Sequence, residues 1–525
     1  MPCVWPRDPC RNDWSGRAGS SPLAPSPTAL THNRRCLQRR RAALGEGLEH
    51  GNPDSLRSAQ EAGTPSEGVQ LRSNLEAQSS ERGTGRMATR YVTAKTSRLY
   101  ENDSGLAYHT VLIFGDEVSV TNQVSNGRRK ASFRGREGWM KEEDLGEEPS
   151  LELYFIDVGQ GDSTFIVTPG RKTILIDGGI NRRALGFLAW KYRLDQPGNS
   201  VTLDLMVLTH ADADHLNGLV PILSHPQIHV RRIVHSGIAT YGSASGFNTV
   251  LGNRDATGDF LETRHSAIAD LQGAALSDEF AGWVAAVESE PQSPTYEAVH
   301  AGTGELDIGD SAISLEVLGP LLDQTGGTNR FRWFGGQEPG ITVNGHSVVL
   351  RLRYRDVASL LTGDLNAKGS EHLMTGPGIE HKLDAHVFKA PHHGSHDFHR
   401  PFLDAIRPQI SVISSGDEPD HGHPRAAFLG AVGKASRSAR PLLFSTEIAS
   451  TFVEAGLPSV AGGISLDELD IRDAAANAIA RWLFKRRLHG MINVRTDGRR
   501  LFAARRVAAG YWWESEGPLT PAPRG

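Results

Sequence analysis

The stretch Val201–His215, VTLDLMVLTHADADH, decides the fold of this chain, because an apolar strand runs directly into a dense cluster of acidic and imidazole side chains. His210 and Asp212 are separated by one residue, so in an extended segment both side chains point to the same side. Asp214 and His215 follow as the chain turns into a helix that begins HLNGL. We therefore predict that this turn faces two metal ions, with the first pair of side chains on one ion and the second pair on the other.

Other side chains of the metal-ligand type stand at the ends of further predicted strands. Asp177 ends the strand in LIDGG before this stretch, and Asp364 ends the strand in LLTGDL beyond it. A carboxylate at a strand end next to glycine can approach a metal closely. His392 and His393, in the turn PHHGS after the strand AHVFKA, suit one metal ligand beside one acid/base imidazole. We expect His392 to be the ligand and His393 the catalytic imidazole, and the sequence leaves the order of the two open.

The run H-A-D-A-D-H differs from the signature H-x-H-x-D-H of the metallo-β-lactamase superfamily at Asp212 alone, and the sequence resembles that superfamily. The resemblance implies a site for two divalent cations, in which Asp364 resembles the bridging ligand. The metal ligands that it implies are His210, Asp212, Asp214, His215, Asp364 and His392. A carboxylate in place of an imidazole hardens the site and adds negative charge. We expect zinc, with manganese, iron or magnesium as alternatives.

Finer motifs are similar to one subgroup of this superfamily. Five of them occur in order: DVGQGDS (Asp157–Ser163), N-x-x-S-x-V-L (Asn344–Leu350), TGD, K-x-P-H-H-G-S and GHP (Gly422–Pro424). Together they are similar to the hydrolase domain of ComEC-type DNA-uptake proteins and their free-standing relatives, over roughly residues 151–430. The membrane channel that accompanies this domain in the uptake proteins is not expected here. The resemblance therefore implies hydrolytic chemistry and not transport.

Further candidates surround the expected metal site. Many superfamily members have a histidine where Asn344 stands, whereas the ComEC-like pattern has asparagine, so His346 is an alternative ligand two residues away. His423 either donates a hydrogen bond to a substrate phosphate or braces a turn. Lys389 and the backbone amide of Ser395 are expected to contact substrate oxygens, because a short turn of N–H groups makes an anion-binding nest.

The central part of the chain is expected to be one α/β domain. Strands followed by strand–helix alternation predict an αββα sandwich over residues 151–510. The interval from about 235 to 340 is rich in Gly, Ser and Thr and weakly periodic, so we expect an insertion over the site. After Thr446 the sequence predicts a helix, DAAANAIARWLFKRRL, and a closing hairpin that turns at Asp497-Gly498.

Residues 90–147 are expected to be a small all-β barrel. Short alternating runs are separated there by Gly, Asn and Asp turns. The stretch resembles bacterial SH3-like domains in its opening VTA strand, its GD-x-V hairpin and its closing GREGW. This resemblance implies a docking module for a peptide, a glycan or a protein partner, in which Trp139 is either a core residue or a contact residue.

Residues 1–86 are rich in Ser, Pro, Gly, Arg and Gln and have almost no apolar periodicity, so we expect a disordered leader. One alternative is a misassigned start, with Met87 as the true initiator. Another is a basic arm that binds nucleic acid, although acidic residues are interspersed and aromatic residues are scarce.

Composition narrows the class of protein. The net charge of −5 over 525 residues provides no global basic field. All three cysteines, Cys3, Cys10 and Cys36, stand near the start, so any metal in the rest of the chain must be held by His, Asp and Glu. No window approaches the ~18 apolar residues of a membrane span, and the start lacks the apolar segment of a secretion signal. We expect a soluble, cytoplasmic protein.

These observations predict a metal-dependent hydrolase, specifically a phosphodiesterase or nuclease that attacks with a hydroxide activated by two metal ions. Asp214, Asp177 and His393 are the expected catalytic residues, and Asp177 would orient the nucleophile or the histidines. A phosphodiester or a nucleic acid would be the substrate. Two alternatives remain: a hydrolase of lactams, lactones or thioesters, and a non-catalytic scaffold with a degenerate site that recruits a partner through the SH3-like module.

Overall fold

The computed structural model describes residues 87–416, 422–447, 490–506 and 513–523. The expected N-terminal leader and the helix expected after Thr446 lie outside these residues. Within them, no helix is both long and apolar enough to cross a membrane.

The described chain begins with a small antiparallel sheet. Its strands are β1 (Ala88–Val92), β2 (Thr96–Tyr100), β3 (Tyr108–Ile113), β4 (Glu117–Ser125), β5 (Arg128–Phe133), β6 (Arg136–Lys141) and β7 (Leu145–Gly146). They pair in the order β3-β2-β6-β5-β4-β1-β7, and alternate residues such as Leu99 and Met140 are buried between them. Asn126 and Gly127 close the β4–β5 hairpin with φ of 50° and 72°, as a two-residue type I′ turn requires. The all-β character is confirmed for residues 88–146, here called the N-terminal sheet, while the SH3-like relationship stays a prediction.

The remaining described residues form two large sheets, two small sheets and the helices around them. The strands are β8 (Leu151–Phe155), β9 (Thr164–Val167), β10 (Thr173–Ile176), β11 (Val201–Leu203), β12 (Leu205–Leu208), β13 (Ile228–Val230), β14 (Arg232–His235), β15 (Phe260–Leu261), β16 (Thr295–Ala298), β17 (Gly304–Glu305), β18 (Ile313–Gly319), β19 (Asp323–Thr325), β20 (Thr328–Arg332), β21 (Val349–Tyr354), β22 (Val357–Leu361), β23 (Val387–Lys389), β24 (Ile410–Ile413), β25 (Leu442–Ser445), β26 (Ile492–Thr496), β27 (Leu501–Arg506) and β28 (Trp513–Leu519). The helices are α1 (Arg183–Tyr192), α2 (Ala213–Leu216), α3 (Val220–Leu223), α4 (Asp278–Ser289), α5 (Pro339–Gly345), α6 (Ala367–Met374), α7 (Arg400–Ile406) and α8 (Ala426–Ala435). The two small sheets are β11-β13 and β15-β20-β19.

The two large sheets pack face to face. The first has the order β16-β14-β12-β10-β9-β8-β26-β27-β28, and the second has the order β17-β18-β21-β22-β23-β24-β25. Phe155 of β8 and Leu350 of β21 belong to one buried apolar cluster that both sheets share. On the outer faces, Trp283 of α4 is buried against the first sheet, and Phe402 of α7 and Phe428 of α8 are buried against the second. The predicted αββα sandwich is therefore confirmed.

Parallel strands bring the candidate site residues to one end of this sandwich. β10, β12 and β14 are parallel neighbours in the first sheet, and β22, β23 and β24 are parallel neighbours in the second. Asp177 and His210 follow β10 and β12, while Asp364 and His393 follow β22 and β23. Because ligands bind outside the carboxyl ends of parallel strands, this end of the sandwich is the expected place for a site.

Only part of the interval expected as an insertion lies outside the two sheets. β16 pairs with β14 at the edge of the first sheet, and β18 pairs with β21 inside the second. The rest includes α4 and the small sheet β15-β20-β19. The sequence did not indicate β16 because TYEA has no alternating apolar residues. β18, ISLEVLG, does alternate, but it stands in an interval whose Gly, Ser and Thr content is typical of loops.

The closing hairpin is confirmed and has a structural role. β26 and β27 pair on either side of Asp497-Gly498, and β26 also pairs with β8 along its whole length. The edge of β8, the first strand of the sandwich, is therefore paired with β26, one of its last strands.

Candidate metal centre

Side chains of the metal-ligand type converge at the carboxyl ends of the parallel strands. Nε2 of His215 lies 3.4 Å from Oδ2 of Asp364 and 4.0 Å from Oδ1 of Asp214. Nε2 of His393 lies 3.0 Å from the same Asp364 oxygen and 3.4 Å from Oδ2 of Asp214. Ligand atoms close enough to share a metal ion occur in the groups His210, His215, Asp364 and Asp214, His215, His393.

Each of these three histidines is held through Nδ1, so that Nε2 faces the centre. The atoms beside Nδ1 are the Thr209 hydroxyl oxygen for His210 at 3.0 Å, Oδ2 of Asp177 for His215 at 2.8 Å, and the Ser414 carbonyl oxygen for His393 at 3.0 Å. Metal-binding histidines commonly have such a partner, because it fixes the tautomer and the orientation of the ring. The rings are therefore oriented as ligands would be.

The inward-facing atoms fit a cation. Nε2 of His210, Nε2 of His215 and Oδ1 of Asp364 are buried and have no hydrogen-bond partner among the described residues. Buried polar atoms are nearly always hydrogen-bonded, so unsatisfied atoms that face one another need another partner. Imidazole and carboxylate without thiolate form a donor set that suits zinc, manganese or iron. The described residues therefore include groups that could hold divalent cations.

Asp177 holds Thr209 and the His215 ring in place through its carboxylate. Its two carboxylate oxygens accept hydrogen bonds from the Thr209 backbone N–H at 2.8 Å and from the Thr209 hydroxyl at 2.7 Å, and Oδ2 also lies beside Nδ1 of His215. The side chain is only 1% exposed. Of the two roles expected for Asp177, this geometry supports the orientation of a histidine.

Negative charge predominates around the histidines. Burial lowers the pKa of His215, but the surrounding carboxylates, Asp364 first, outweigh burial and raise the pKa well above its ordinary value. Burial also lowers the pKa of His393, and Asp364 and Asp214 raise it to about 9. Burial raises the pKa of Asp364, yet the same two histidines hold it well below its ordinary value. Such a site attracts cations.

A buried ion pair between Asp162 and Lys389 lies beside Asp364. Both side chains are 4% exposed, and the Lys389 ammonium donates a hydrogen bond to the Gly363 carbonyl oxygen at 2.8 Å. The ammonium lies 3.7 Å from Oδ1 of Asp364, and burial holds its pKa well below its ordinary value. Lys389 therefore supports the loop that carries Asp364, in contrast to the expected contact with substrate oxygens. Sequence reasoning missed Asp162, and the only signal was its place in the motif DVGQGDS.

The loop that carries Asp162 packs tightly on the metal-binding turn. Gly161 has a φ of 92°, and a Cβ atom at this position would lie 1.7 Å from the carbonyl oxygen of Asp214. Only glycine permits both the conformation and the close approach. The motif DVGQGDS therefore needs its second glycine in order to reach the centre.

The two adjacent histidines take different positions. The turn presents His393 to Asp214 and Asp364, whereas the His392 ring lies 6.1 Å from the His393 ring and 5.8 Å from the His423 ring, between centroids. His392 and His393 both have positive φ, of 47° and 52°. Burial lowers the pKa of His392. The geometry thus exchanges the roles expected from the sequence, with His393 at the ligand position and His392 and His423 beside it.

Asn344 and His346 also differ in position. Asn344 is buried at the end of α5, and its Oδ1 has no hydrogen-bond partner in the described part of the chain. Nε2 of His346 lies 2.8 Å from the Arg332 carbonyl oxygen, and the ring stacks on Phe334 at 4.7 Å. Burial lowers the pKa of His346 to about 3. His346 belongs to none of the metal-type groups in the described residues, so this structure does not support it as a ligand.

Asp212 and Ser395 complete the predicted set. Oδ2 of Asp212 lies 3.6 Å from Nε2 of His210, and its side chain is 37% exposed, so Asp212 faces the centre from the solvent side. The Ser395 amide donates a hydrogen bond to the His392 carbonyl oxygen at 2.8 Å. That amide is therefore engaged within the turn and does not contribute to the expected anion nest.

The sequence of this chain is similar to those of known proteins. The sequence model of the family described as the metallo-beta-lactamase superfamily matches residues 156–416. The chain is 23% identical over 295 residues to ComE operon protein 3 of Bacillus subtilis (strain 168), a match that covers 53% of this chain and 30% of that protein. It is 36% identical over 107 residues to Competence protein ComA of Neisseria gonorrhoeae, which covers 19% of this chain and 15% of that protein. Among solved structures, CmlA, a diiron beta-hydroxylase from Streptomyces venezuelae, is 14% identical with a TM-score of 0.27, over 55% of this chain and 48% of that one.

The matches extend over part of each protein. This chain spans less than a third of the length of the two curated relatives. The family match includes the loop with Asp162, the turn from His210 to His215, and both Asp364 and His393. Residues 156–416 therefore form a domain of the metallo-beta-lactamase superfamily of metal-dependent hydrolases, related to ComEC-type proteins.

Proposed function

We propose that this protein hydrolyses phosphodiester bonds, in a nucleic acid or in a smaller ester, with two divalent cations at the centre described above. The observation that carries the proposal is the carboxylate content of the centre, to which Asp212, Asp214 and Asp364 all contribute. Carboxylates are hard ligands that suit manganese, iron or magnesium as well as zinc. Paired cations in such sites are common in enzymes that cleave phosphodiesters. The motifs that resemble those of ComEC-type DNA-uptake proteins favour the same substrate class.

The residues that would hold the cations fall into two overlapping groups. One group is His210, His215 and Asp364, and the other is Asp214, His215 and His393. Asp212, whose Oδ2 lies 3.6 Å from Nε2 of His210, would add a carboxylate from the solvent side. Cations held there would supply Lewis acidity toward water and toward a phosphate oxygen.

The protein's own groups fix the arrangement before a substrate binds. Asp177 accepts the hydrogen bond of the His215 ring, and the Ser414 carbonyl oxygen accepts that of the His393 ring. Lys389 ties the loop after β22 to the first hairpin of the sandwich. Groups that are already oriented need not reorganise during the reaction, and this preorganisation is a large part of catalysis.

His392 is our candidate for proton transfer. Its ring lies beside His393, and its Nδ1 is buried with no hydrogen-bond partner in the described residues. Because burial lowers its pKa, His392 is neutral near pH 7 and can take up a proton from a reacting group within reach. We therefore give His392 the acid/base role and His393 the ligand role.

Turnover of bis(p-nitrophenyl) phosphate and of single-stranded DNA, measured beside nitrocefin, tests the proposal. We expect hydrolysis of at least one phosphodiester in the presence of Zn²⁺ or Mn²⁺. Asp214→Asn should reduce it about 100-fold or more, because a ligand matters at least as much as the groups that support it. The control Asp404→Asn removes an exposed carboxylate of α7 that pairs with Arg400, and it should keep full activity.

Two results would contradict the proposal. Hydrolysis of nitrocefin alone would assign the centre to lactam chemistry. Less than one tightly bound metal ion per chain, together with no effect of Asp214→Asn, would favour a non-catalytic scaffold.

A further inference from the structure

A cavity of about 470 Å³ lies between the N-terminal sheet and the first large sheet, both in one compact unit. Arg134 of the N-terminal sheet forms one wall of this seam cavity, and Glu152 of β8 and Trp190 of α1 line the opposite wall. Glu152 stands near the start of β8, whereas the loop with Asp162 follows its end. The seam cavity is therefore separate from the candidate metal centre.

The carboxylates in the cavity wall are all paired with cations. The pairs are Asp116 with Arg495 at 2.7 Å, Glu117 with Arg171, and Glu152 with Lys191 at 3.3 Å and with Arg495 at 3.6 Å. Burial raises the pKa of Glu152, but Lys191 and Arg495 outweigh burial and lower it to about 2. These acids therefore leave no unbalanced negative charge in the cavity.

Two of the arginines that line the cavity have no carboxylate partner in the described part of the chain. The Arg134 guanidinium stands 4.2 Å from the centroid of the Trp190 ring and donates a hydrogen bond to the Trp190 carbonyl oxygen. The Arg506 guanidinium stands 5.6 Å from the same ring. Five cationic and three acidic side chains line the cavity, so two positive charges remain beside Trp190.

We propose that the seam cavity binds a nucleotide, either free or as part of a single strand, with its phosphate on Arg134 and Arg506. Guanidinium groups bind phosphate oxygens through paired, charge-assisted hydrogen bonds. Tyr192 and Trp513 line the cavity together with Trp190, and aromatic rings bind the faces of bases by stacking. The volume lies within the ~300–1,000 Å³ of ordinary small-molecule sites. This site does not depend on the proposed hydrolysis.

Calorimetric titration of the full chain, freed of metal with EDTA, tests this binding. The probes are adenosine monophosphate, a six-residue oligothymidylate and inorganic phosphate, and metal removal prevents their turnover. We expect Arg134→Ala and Arg506→Ala each to weaken nucleotide binding about tenfold or more, as the loss of a hydrogen bond to a charged group does. The control Arg98→Ala removes an exposed arginine that stands over Tyr108 in the N-terminal sheet, and it should bind like the unchanged chain.

The outcomes separate the two sources of the nucleotide. Tighter binding of the oligothymidylate than of adenosine monophosphate, with a strong dependence on salt, would assign the site to a strand. Equal affinity would assign it to a free nucleotide. The proposal is overturned if neither nucleotide binds, if both arginine variants bind as tightly as Arg98→Ala, or if inorganic phosphate binds as tightly as the nucleotides.

Two further measurements keep the test clear. Arg134→Ala removes a hydrogen bond between the N-terminal sheet and α1, so the thermal unfolding of this variant is measured in parallel. The Arg506 side chain makes no hydrogen bond within the described residues, and Arg506→Ala therefore carries the test if the first variant unfolds. Turnover of bis(p-nitrophenyl) phosphate by both variants, with metal restored, reports separately on the proposed function.

Discussion

Replacement of Asp177 by asparagine removes one negative charge from the floor of the metal centre and keeps the shape of the side chain. Both carboxylate oxygens accept hydrogen bonds from Thr209, and one of them also lies 2.8 Å from Nδ1 of His215. Asp177 has a φ of 56°, a conformation that asparagine adopts more readily than most residues. Asp177→Asn therefore tests the carboxylate itself and leaves the backbone unstrained.

The size of the effect expected for Asp177→Asn follows from the hydrogen bonds that an amide group cannot accept. Its oxygen can still accept a hydrogen bond from the Thr209 N–H, but its NH₂ group cannot accept one from the Thr209 hydroxyl or the His215 ring. Partners that orient a ligand histidine contribute about 10- to 100-fold to metal affinity. This corresponds to about 1.4 to 2.8 kcal/mol of binding free energy. A buried donor without an acceptor also costs about 1–3 kcal/mol of folding stability.

Two assays measure the two parts separately. Metal content after dialysis against graded chelator gives the metal affinity, and urea unfolding of the metal-free chain gives the stability. We expect Asp177→Asn to reduce both, while Asp404→Asn changes neither. A metal affinity within twofold of the unchanged chain would refute the conclusion that Asp177 acts through His215.

Removal of metal with EDTA should lower the midpoint of thermal unfolding and abolish turnover, because the buried ligand atoms that face the centre lose their partner. An unchanged unfolding curve, with no recovery of turnover on adding Zn²⁺ or Mn²⁺, would contradict a bound cation. His393→Ala should lose at least one metal equivalent in elemental analysis, while His392→Ala keeps its metal; the opposite result would restore the order expected from the sequence. His346→Phe should leave the metal content unchanged and cost about 1–3 kcal/mol in urea unfolding, because the Arg332 carbonyl oxygen loses its partner. Glu152→Gln should cost about 3 kcal/mol at pH 7, because the folded pKa of about 2 lies below the ordinary 4.5. That contribution is present above pH 4.5 and is lost as the pH falls toward 2. The difference in free energy of unfolding between the unchanged chain and Glu152→Gln should therefore shrink by more than half at pH 3. A difference that does not vary with pH would argue against the buried carboxylate.

Local signals made the fold and the metal-binding turn predictable. β12 ends at Leu208 and α2 begins at Ala213, so the ligand candidates from His210 to His215 are neighbours in sequence as well as in space. Most strands of the sandwich carry their own apolar run, and alternation or burial identifies each without knowledge of its partners. The Asp497-Gly498 turn identified the closing hairpin in the same way.

Features that depend on distant segments or on particular dihedral angles could not be predicted. Asp162 and Lys389 form a buried ion pair, but the sequence around either residue does not indicate that the other is its partner. The order of His392 and His393 depends on two positive φ angles, which residues other than glycine rarely adopt. The charge balance of the seam cavity was likewise invisible, because its side chains come from both ends of the described chain.

Arg495 completes the seam late in the synthesis of the chain. Its guanidinium donates hydrogen bonds to Asp116 at 2.7 Å and to the Phe114 carbonyl oxygen at 2.8 Å, although Asp116 precedes it by 379 residues. β26, which carries Arg495, also covers β8. At ~5–20 residues per second, a ribosome needs roughly 20–80 s to make the intervening chain. During that time β8 has an open edge and the N-terminal sheet lacks its buried cation, so the nascent chain would expose both to chaperones before either is covered.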